Sequence, residues 1–396
     1  MPKLGFGEPA PSFVAPTPNN PKFHFDTIAG RPILLVFLGH PLSRASAQLV
    51  QEIKANRASF DDRFASMFYI VSDPLDIDLL EIKVDNPGVR YFMDYDRTIA
   101  KAYGYAAEVP EGTPDNAIPV ECGVTAMDQT LRGLQSTGVT AGKHTVAPIL
   151  DGLRRLETFF RNFKSLNHAP VMVLERIFEP SFCRRLIQYY NSNEPKDSGF
   201  MREKDGYTVG ILDHSFKRRQ DVWIDDENLM RAGMQRIYRR LVPQIQKAYQ
   251  FEVTRIERHI VACYDAGRGG FFKAHRDNTT KGTAHRRFAV TINLNTEEFE
   301  GGELRLPEFG DRSYRAPTGG AVVFSCSLLH EALPVTKGTR YAYLPFLYND
   351  DDAKLRQENK KYLDAKSGGL VDVDAALAKK QDGDETAAEP KPQAAE

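Results

Sequence analysis

Cysteine is scarce: four in 396 residues, at 122, 183, 263 and 326, with no C-x-x-C or finger spacing. That excludes a disulfide scaffold and a thiolate zinc finger, and it points to a reducing, cytoplasmic setting. Neither sign of charge is in excess, 52 Lys+Arg against 53 Asp+Glu, so no broad field recommends nucleic acid or an anionic membrane as a partner. No apolar run reaches transmembrane length, and the opening MPKLGFGEPAPSF lacks the apolar core of a secretory signal. Internal repeats are missing too; the two halves share no motif or period.

What is present divides into three stretches: residues 1–166, 167–350 and 351–396. The first alternates strands and helices. RPILLVFLGH reads as a buried strand, SRASAQLVQEIKANRASF as a helix with Ser43 as N-cap, and FASMFYIVS as a second strand. VRYFMDYDRTIAKAYGY, VECGVTAMDQTLRGLQSTG and a helix through ILDGLRRLETFF complete an α/β unit. With GEPAPSF, FDTIAGRPILLVFLG and MDYDRTIAKAYG in this order, the stretch resembles the peroxiredoxin branch of thioredoxin-like folds. Peroxiredoxins attack peroxide with a thiolate in a Pro-x-x-x-Thr-x-x-Cys turn after the first core strand. Here that turn reads HPLSRASAQLV and holds no cysteine; the first thiol in the chain is Cys122. Turnover through a sulfenic acid is thereby excluded. The expected role is a non-catalytic module that docks against its neighbour, helps capture substrate, or self-associates as a homodimer.

The second stretch carries a split set of four residues: His275 and Asp277 in AHRDN, then His330 and Arg340. Two neutral imidazoles and one carboxylate on one face of an octahedral ion leave the opposite face open, the arrangement of non-haem Fe(II) oxygenases. Side chains two apart on an extended segment share a face, so His275 and Asp277 can reach one ion while Arg276 points away. YDAGRGGFFKAHRDN reads as a strand, a glycine turn and a second extended segment. RFAVTINLN alternates, with Phe288, Val290, Ile292 and Leu294 on one face and Ala289, Thr291 and Asn293 on the other. GGAVVFSCSLLHEALPVTKGTRYAYLPFLY predicts two long strands joined by a turn at Lys337 and Gly338, His330 ending one and Arg340 beginning the next.

From Ala169 to Tyr348 the chain resembles the 2-oxoglutarate- and Fe(II)-dependent dioxygenases of the prolyl 4-hydroxylase type. The match rests on Tyr264 before the glycine turn, the HxD pair, FEGGEL, GGAVVF, and HEALPVTKGTRY, in that order. The resemblance implies a double-stranded β-helix of the jelly-roll kind, with His275, Asp277 and His330 as catalytic iron ligands. It makes Arg340 the partner of the 2-oxoglutarate C5 carboxylate, where many relatives carry lysine; a planar guanidinium meets a carboxylate with two parallel hydrogen bonds. It also places a polar side chain of the third core strand near the cosubstrate, which falls here on Thr291 or Asn293. Tyr264 is expected to reach cosubstrate or substrate with its hydroxyl, with packing under the glycine turn as the plain alternative. The implied cofactors are Fe(II), 2-oxoglutarate as cosubstrate, and ascorbate. The implied reaction is hydroxylation of an unactivated C–H bond with decarboxylation of 2-oxoglutarate to succinate and CO₂. The substrate, a small molecule or a peptidyl residue, is not named by the sequence. The rival reading is a non-catalytic binding or redox-adaptor protein with a vestigial oxygenase fold, against which the intact quartet argues. Halogenation requires the carboxylate ligand to give way to a small residue, and Asp277 is present.

The remaining features read plainly. His214, His259 and His285 lack ligand partners at metal spacing, and the HRR cluster at 285–287 reads as a solvated strand entrance or as a guide for an acidic substrate. Cys263 and Cys326 read as small core residues. Ser181 is the cap candidate for a helix after Pro180, and LMRAGMQRIYRRLVPQIQKAYQF has helical spacing. The stretch Asp197–Arg219 shows little periodicity and reads as a loop, with substrate contact or a surface excursion as its alternatives. Residues 351–396 read as a helical extension and then, from about Ser367, as a disordered tail poor in large apolar residues.

Overall fold

The computed structural model of the chain describes residues 2–162, 168–204, 206–363 and 371–372. It divides into two compact units, Met1–Ala169 with Leu306–Arg312, and Pro170–Arg305 with Ser313–Glu396.

The first unit is built on a mixed sheet in the order Val89–Met93, Ser66–Val71, Ile33–Phe37, Gly123–Met127 and Gly133–Gly138. The first three strands are parallel and the last two antiparallel. Ile33–Phe37 and Ser66–Val71 are buried at every position, which is why they read as unbroken apolar runs. One face packs Leu34, Val36 and Met67 against Leu49 and Ile53 of the helix Arg44–Ala55 and against Val146 and Leu150 of the helix Val146–Asn162. Phe37 stacks on Tyr105 at 4.0 Å and Phe68 on Phe92 at 5.1 Å. Ser43 caps the first helix, accepting from the amides of Ala45 and Ser46. The buried Glu52 of that helix accepts 2.8 Å bonds from the Thr145 and Val146 amides, so one helix supplies the cap of the other. Cys122 is buried, and burial pushes its thiol pKa up, the reverse of a peroxidatic thiol.

Asp76 in this unit is fully buried, accepts a 3.2 Å bond from the Asp73 amide at one oxygen, and has no partner for the other among the described residues. Burial pushes its pKa up to about 6. Asp94, which accepts from the Ile99 and Ala100 amides, is likewise pushed by burial to about 6. Both folded values lie above the unfolded carboxylate value, so between about pH 4 and pH 6 the folded chain binds more protons than the unfolded one. Stability therefore falls as pH rises through that window. Asp76→Asn is expected to stabilise the chain by about 2 kcal/mol near pH 7 and to flatten this slope. Denaturant unfolding at about pH 4 and pH 7 reads it, and an unchanged midpoint near pH 7 would contradict the burial argument.

The second unit is built on two main antiparallel sheets, beside a three-stranded one. The spine of the larger runs Arg255–Glu257, Phe346–Tyr348, Phe288–Asn293, Val335–Tyr343, Ile260–Asp265, Gln220–Trp223 and Lys196–Asp197, with Ala321–Ser325 also on Phe288–Asn293. The smaller runs Lys217–Arg218, Phe271–His275, His330–Ala332, Leu304–Arg305 and Ser313–Tyr314. Ile260, Ala262, Tyr264, Ala342 and Leu344 of the larger sheet pack with Phe272 and Ala332 of the smaller, which defines the interior. The alternate residues of the larger sheet, including Phe288, Val290, Ile292, Leu294 and Tyr343, bury against Phe182 and Leu186 of the helix Pro180–Asn191 and against Leu229 and Ile245. Those last two lie on Glu227–Arg236 and Val242–Tyr249, joined by the π-helical turn Ile237–Leu241. The predicted alternation of RFAVTINLN and the supporting helix are both present.

Several local expectations are corrected. Glu179, not Ser181, occupies the N-cap of Pro180–Asn191, because Pro180 takes the first helical position, where its missing N–H costs nothing. The stretch Asp197–Arg219 is not a loop: Phe200–Lys204 and Tyr207–Leu212 form an antiparallel hairpin. The Asp-Gly pair at 205–206 is its sequence signal, with Gly206 at φ 82°. His330 does not end a long strand but opens the short strand His330–Ala332, and Arg340 lies inside the continuous strand Val335–Tyr343. Gly338 makes no turn; it sits within that strand at φ 72°, paired with Phe299. The expected disordered tail lies outside the described residues except Val371–Asp372, which pair in parallel with Ile211–Leu212.

A Cβ at Gly338 would stand 2.4 Å from the Glu298 carbonyl oxygen, so both its φ and its close approach require glycine. Gly338→Ala is expected to cost about 1–3 kcal/mol, read as a lower unfolding midpoint of the full chain. A chain as stable as wild type would show that the strand tolerates a side chain there.

Candidate metal centre

The register of the smaller sheet creates the site. Phe271–His275 and His330–Ala332 are antiparallel and set His275 directly opposite His330, with an irregularity between Phe272 and His275. Asp277 follows just beyond the strand end, its amide donating to the Cys326 carbonyl at 3.0 Å. The ligand atoms of His275, Asp277 and His330 all lie within 4.8 Å of one another. His275 Nε2 is 3.6 Å from Asp277 Oδ1, and His330 Nε2 is 3.3 Å from Asp277 Oδ2.

Each imidazole is oriented by its other nitrogen. His275 Nδ1 pairs with the Lys273 carbonyl at 2.7 Å and His330 Nδ1 with the Leu328 carbonyl at 3.0 Å. A carbonyl can only accept, so each Nδ1 carries the proton and each Nε2 lone pair faces the carboxylate. Phe272 stacks on the His275 ring with centroids 3.5 Å apart, and Phe324 lies 4.6 Å from the His330 ring. Burial, with His330 beside it, pushes the His275 pKa down to about 4, which leaves the ring neutral near pH 7. Burial alone would raise Asp277, but the attraction and hydrogen bonds that the two imidazoles offer when they carry a proton on Nε2 outweigh it and hold the carboxyl well below its ordinary range; a divalent cation in that place would act in the same direction. Two neutral nitrogen donors and one anionic oxygen donor on one side fit a divalent first-row metal such as Fe(II).

Arg340 faces the same interior from the larger sheet. It is 4 % exposed, and Asn293 Oδ1 accepts from its Nε and Nη2 at 3.4 Å each. Asn293 is itself fixed by a 2.9 Å bond from Nδ2 to the Ala316 carbonyl. No carboxylate among the described residues pairs with Arg340, so a buried guanidinium is left with an amide oxygen as its one side-chain acceptor. Tyr264 is opposite Arg340 in the strand register, with the guanidinium 5.0 Å from its ring centroid. The backbone of Tyr264 also underlies Gly270, where a Cβ would stand 2.8 Å from the Tyr264 Cα. Thr291 is buried on the face that carries Asn293, two residues along the strand, with no hydrogen bond to Arg340.

The interior holds charged residues that the motif reading passed over. Arg219 is 7 % exposed and makes a bidentate pair with Asp221, at 2.7 and 2.6 Å, while its Nη1 donates to the Tyr264 hydroxyl at 3.5 Å. Lys217 donates to Ser198 Oγ and to the Gly199 carbonyl and lies 4.6 Å from the Phe272 ring. The spacing 217, 219, 221 is the signal that sequence alone offered, a period of two that runs from the end of the stretch read as a loop into the strand Gln220–Trp223. In the HRR cluster His285 is buried and pairs with Glu257, as does Arg286, while Arg287 is exposed and pairs with Asp352. His259 Nδ1 meets the Tyr343 hydroxyl at 2.5 Å, and His214 meets Asp197 at 3.2 Å. All four cysteines are buried.

The stretch that carries the donors is similar in sequence to known proteins. The family model described as the 2OG-Fe(II) oxygenase superfamily matches residues 259–348, so the chain carries a 2OG-Fe(II) oxygenase domain there. A PKHD-type hydroxylase of Synechococcus sp. (strain JA-2-3B'a(2-13)) is 30% identical over 89 residues, which cover 21% of this chain and 39% of the relative. The match thus spans about two fifths of the curated relative. A prolyl hydroxylase from Trichoplax adhaerens, solved in complex with a hypoxia inducible factor peptide fragment, aligns with a TM-score of 0.37 at 17% identity, over 55% of this chain and 97% of that one. A mitochondrial 2-cys peroxiredoxin from Plasmodium falciparum aligns with a TM-score of 0.33 at 15% identity, over 40% of this chain and 96% of that one. Among the described residues, no helix is long and apolar enough to cross a membrane.

Replacing His275, Asp277 or His330 singly by Ala is expected to weaken Mn(II) binding on the order of 100-fold or more, beyond what loss of an outer partner costs. Electron paramagnetic resonance of free Mn(II) in a titration of the full chain measures it. Wild-type affinity in any one of the three would remove that residue from the site.

Proposed function

We propose that this chain is a 2-oxoglutarate- and Fe(II)-dependent dioxygenase that hydroxylates an unactivated C–H bond of a small molecule or a peptide. The carrying observation is the pairing, in one interior, of a His–Asp–His donor set with a buried arginine that lacks a carboxylate. His275, Asp277 and His330 would hold the metal, and Arg340 the far carboxylate of the cosubstrate. Bound Fe(II) would supply the oxidative decarboxylation of 2-oxoglutarate to succinate and CO₂ and the oxygen transfer coupled to it.

The chain's own contribution is orientation and exclusion of water. Arg340 offers a planar fork in a buried setting where a charge-assisted bidentate bond is strong, and Asn293 fixes the plane of that fork. Tyr264 packs between the guanidinia of Arg340 and Arg219, at 5.0 and 5.8 Å, which turns its hydroxyl toward Arg219 and leaves its ring as a wall of the cosubstrate pocket. Thr291 lies on the same wall. Phe272, Phe324 and Leu344 line the interior with apolar surface, which keeps bulk water from the donors.

We further assign residues 1–166 to a thioredoxin-like, non-catalytic accessory domain, residues 167–350 to a jelly-roll oxygenase domain, and residues 351–396 to an extension. The mixed sheet flanked by helices supports the first, and the two sheets that share one interior support the second. Self-association through the first domain and stimulation by ascorbate belong to the same reading.

The full chain with Fe(II), 2-oxoglutarate and ascorbate is expected to release succinate, and an Asp277→Ala chain is not. Arg340→Ala is expected to raise the KM for 2-oxoglutarate by on the order of 100-fold, with Arg340→Lys between it and wild type. Absence of succinate from the iron-loaded wild-type chain, or an unchanged KM in Arg340→Ala, would refute the assignment.

A further inference from the structure

Arg258 is the second interior guanidinium without an acidic partner. It stands at φ 69° between the strands Arg255–Glu257 and Ile260–Asp265, and it is half-buried. Its Nε donates to the Leu344 carbonyl at 3.0 Å, and its guanidinium lies 4.3 Å from the centroid of Phe346. The terminal nitrogens have no hydrogen-bond partner among the described residues. Nearby acids are already engaged. Glu257 holds Arg286 and His285, Asp221 is bidentate to Arg219, and Asp277 belongs to the metal triad.

Strand register locates this guanidinium at the metal end of the interior. Phe346, under Arg258, is opposite Ala289; Ala289 is opposite Phe324; and Phe324 packs on the His330 ring. Arg340 lies at the other end, bonded to Asn293, four residues further along the same strand. That is about 13 Å away at the rise of an extended chain. The two arginines therefore face the interior from different ends, Arg258 from the end that carries the metal donors.

The charges show what Arg258 lacks. Arg219 is neutralised by Asp221, and the dicarboxylate assigned to Arg340 would neutralise it and, with Asp277, balance a divalent metal. Among the interior guanidinia of the described residues, Arg258 alone is then left without an anion, already fixed by one carbonyl and one ring, whereas Lys217 has its donors spread over a hydroxyl, a carbonyl and an aromatic face.

We propose that Arg258 anchors a carboxylate of the substrate, so that the reacting C–H bond belongs to an anionic molecule or lies beside an acidic side chain. This rests on the oxygenase reading above, since it takes the Arg340 end of the interior as the cosubstrate's. A fork held at Nε presents its two terminal N–H groups in the geometry that a carboxylate meets with two bonds, and the Phe346 ring beneath keeps the plane fixed.

The test uses the full chain loaded with Mn(II) and 2-oxoglutarate, and reads the paramagnetic broadening of probe protons by NMR. Broadening of the 2-oxoglutarate protons comes first; if it is absent, the oxygenase reading itself fails before any probe is added. Two shape-matched pairs that differ in charge follow: N-acetyl-L-proline with N-acetyl-L-prolinamide, and N-acetyl-glutamyl-proline amide with its glutaminyl counterpart. The first pair presents the carboxylate on a small molecule, the second on a peptide side chain. In wild type the anionic member of at least one pair is expected to bind about tenfold tighter than the neutral one, the worth of a charge-assisted contact. Arg258→Gln should abolish that preference, and Arg258→Lys should keep part of it. Equal binding within both pairs, no binding of any probe, or a preference that survives in Arg258→Gln would overturn the proposal. Thermal unfolding of both variants separates loss of the contact from loss of the fold, and the wild-type preference stands independently of either variant.

Discussion

The candidate site depends on two imidazole N–H groups having somewhere to go. His275 and His330 each find the carbonyl two residues back in the chain, and that local bond decides the tautomer, the ring plane and the direction of the remaining lone pair. The antiparallel register then sets the rings opposite one another, with centroids 4.3 Å apart. Neither part suffices alone. Without the carbonyl bonds the rings could turn their N–H groups inward; without the register the lone pairs would not converge on Asp277.

The interior around that pair is cationic, and its cations are handled in different ways. Arg219 is compensated by a bidentate carboxylate, and Lys217 is spread over a hydroxyl, a carbonyl and an aromatic face. Arg340 and Arg258 meet only neutral acceptors. Burying a guanidinium without an anion is costly, so a protein that does so invites the anion to come from outside. On the proposed reading, the division between compensated and uncompensated arginines separates groups that hold the two sheets together from groups that would meet a ligand.

The sequence disclosed the chemistry more fully than the architecture. HxD, the distal histidine and the arginine were legible because metal and carboxylate binding demand fixed residue types at spacings set by strand parity. The alternation of Phe288 to Leu294 was legible because helices cover one face of that strand and the interior lies on the other. Strand ends were not. Lys337-Gly338 reads as a turn, yet Gly338 is there because a neighbouring carbonyl approaches too closely for any side chain, a constraint that exists only after the strand Phe299–Gly301 has paired. Lys217, Arg219 and Asp221 were hidden for a similar reason. Charged residues at alternate positions look like a solvated segment until the strands that enclose them are known. In the first unit the missing thiol was plain, whereas the buried Asp76, a carboxylate in a short helix, gives no sign of its burial in the one-letter code.

The metal donors stand on one sheet and the arginine on the other, and the two are held apart by the packing of Phe272 and Ala332 against Tyr264, Ala342 and Leu344. The interior is thus a gauge whose jaws are set by hydrophobic side chains. On the proposed reading a dicarboxylate would be measured by chain length before it is recognised by charge, and a methylene gained or lost in that apolar layer would reset the gauge. Selectivity between homologous diacids would then be written in residues that never touch either carboxylate.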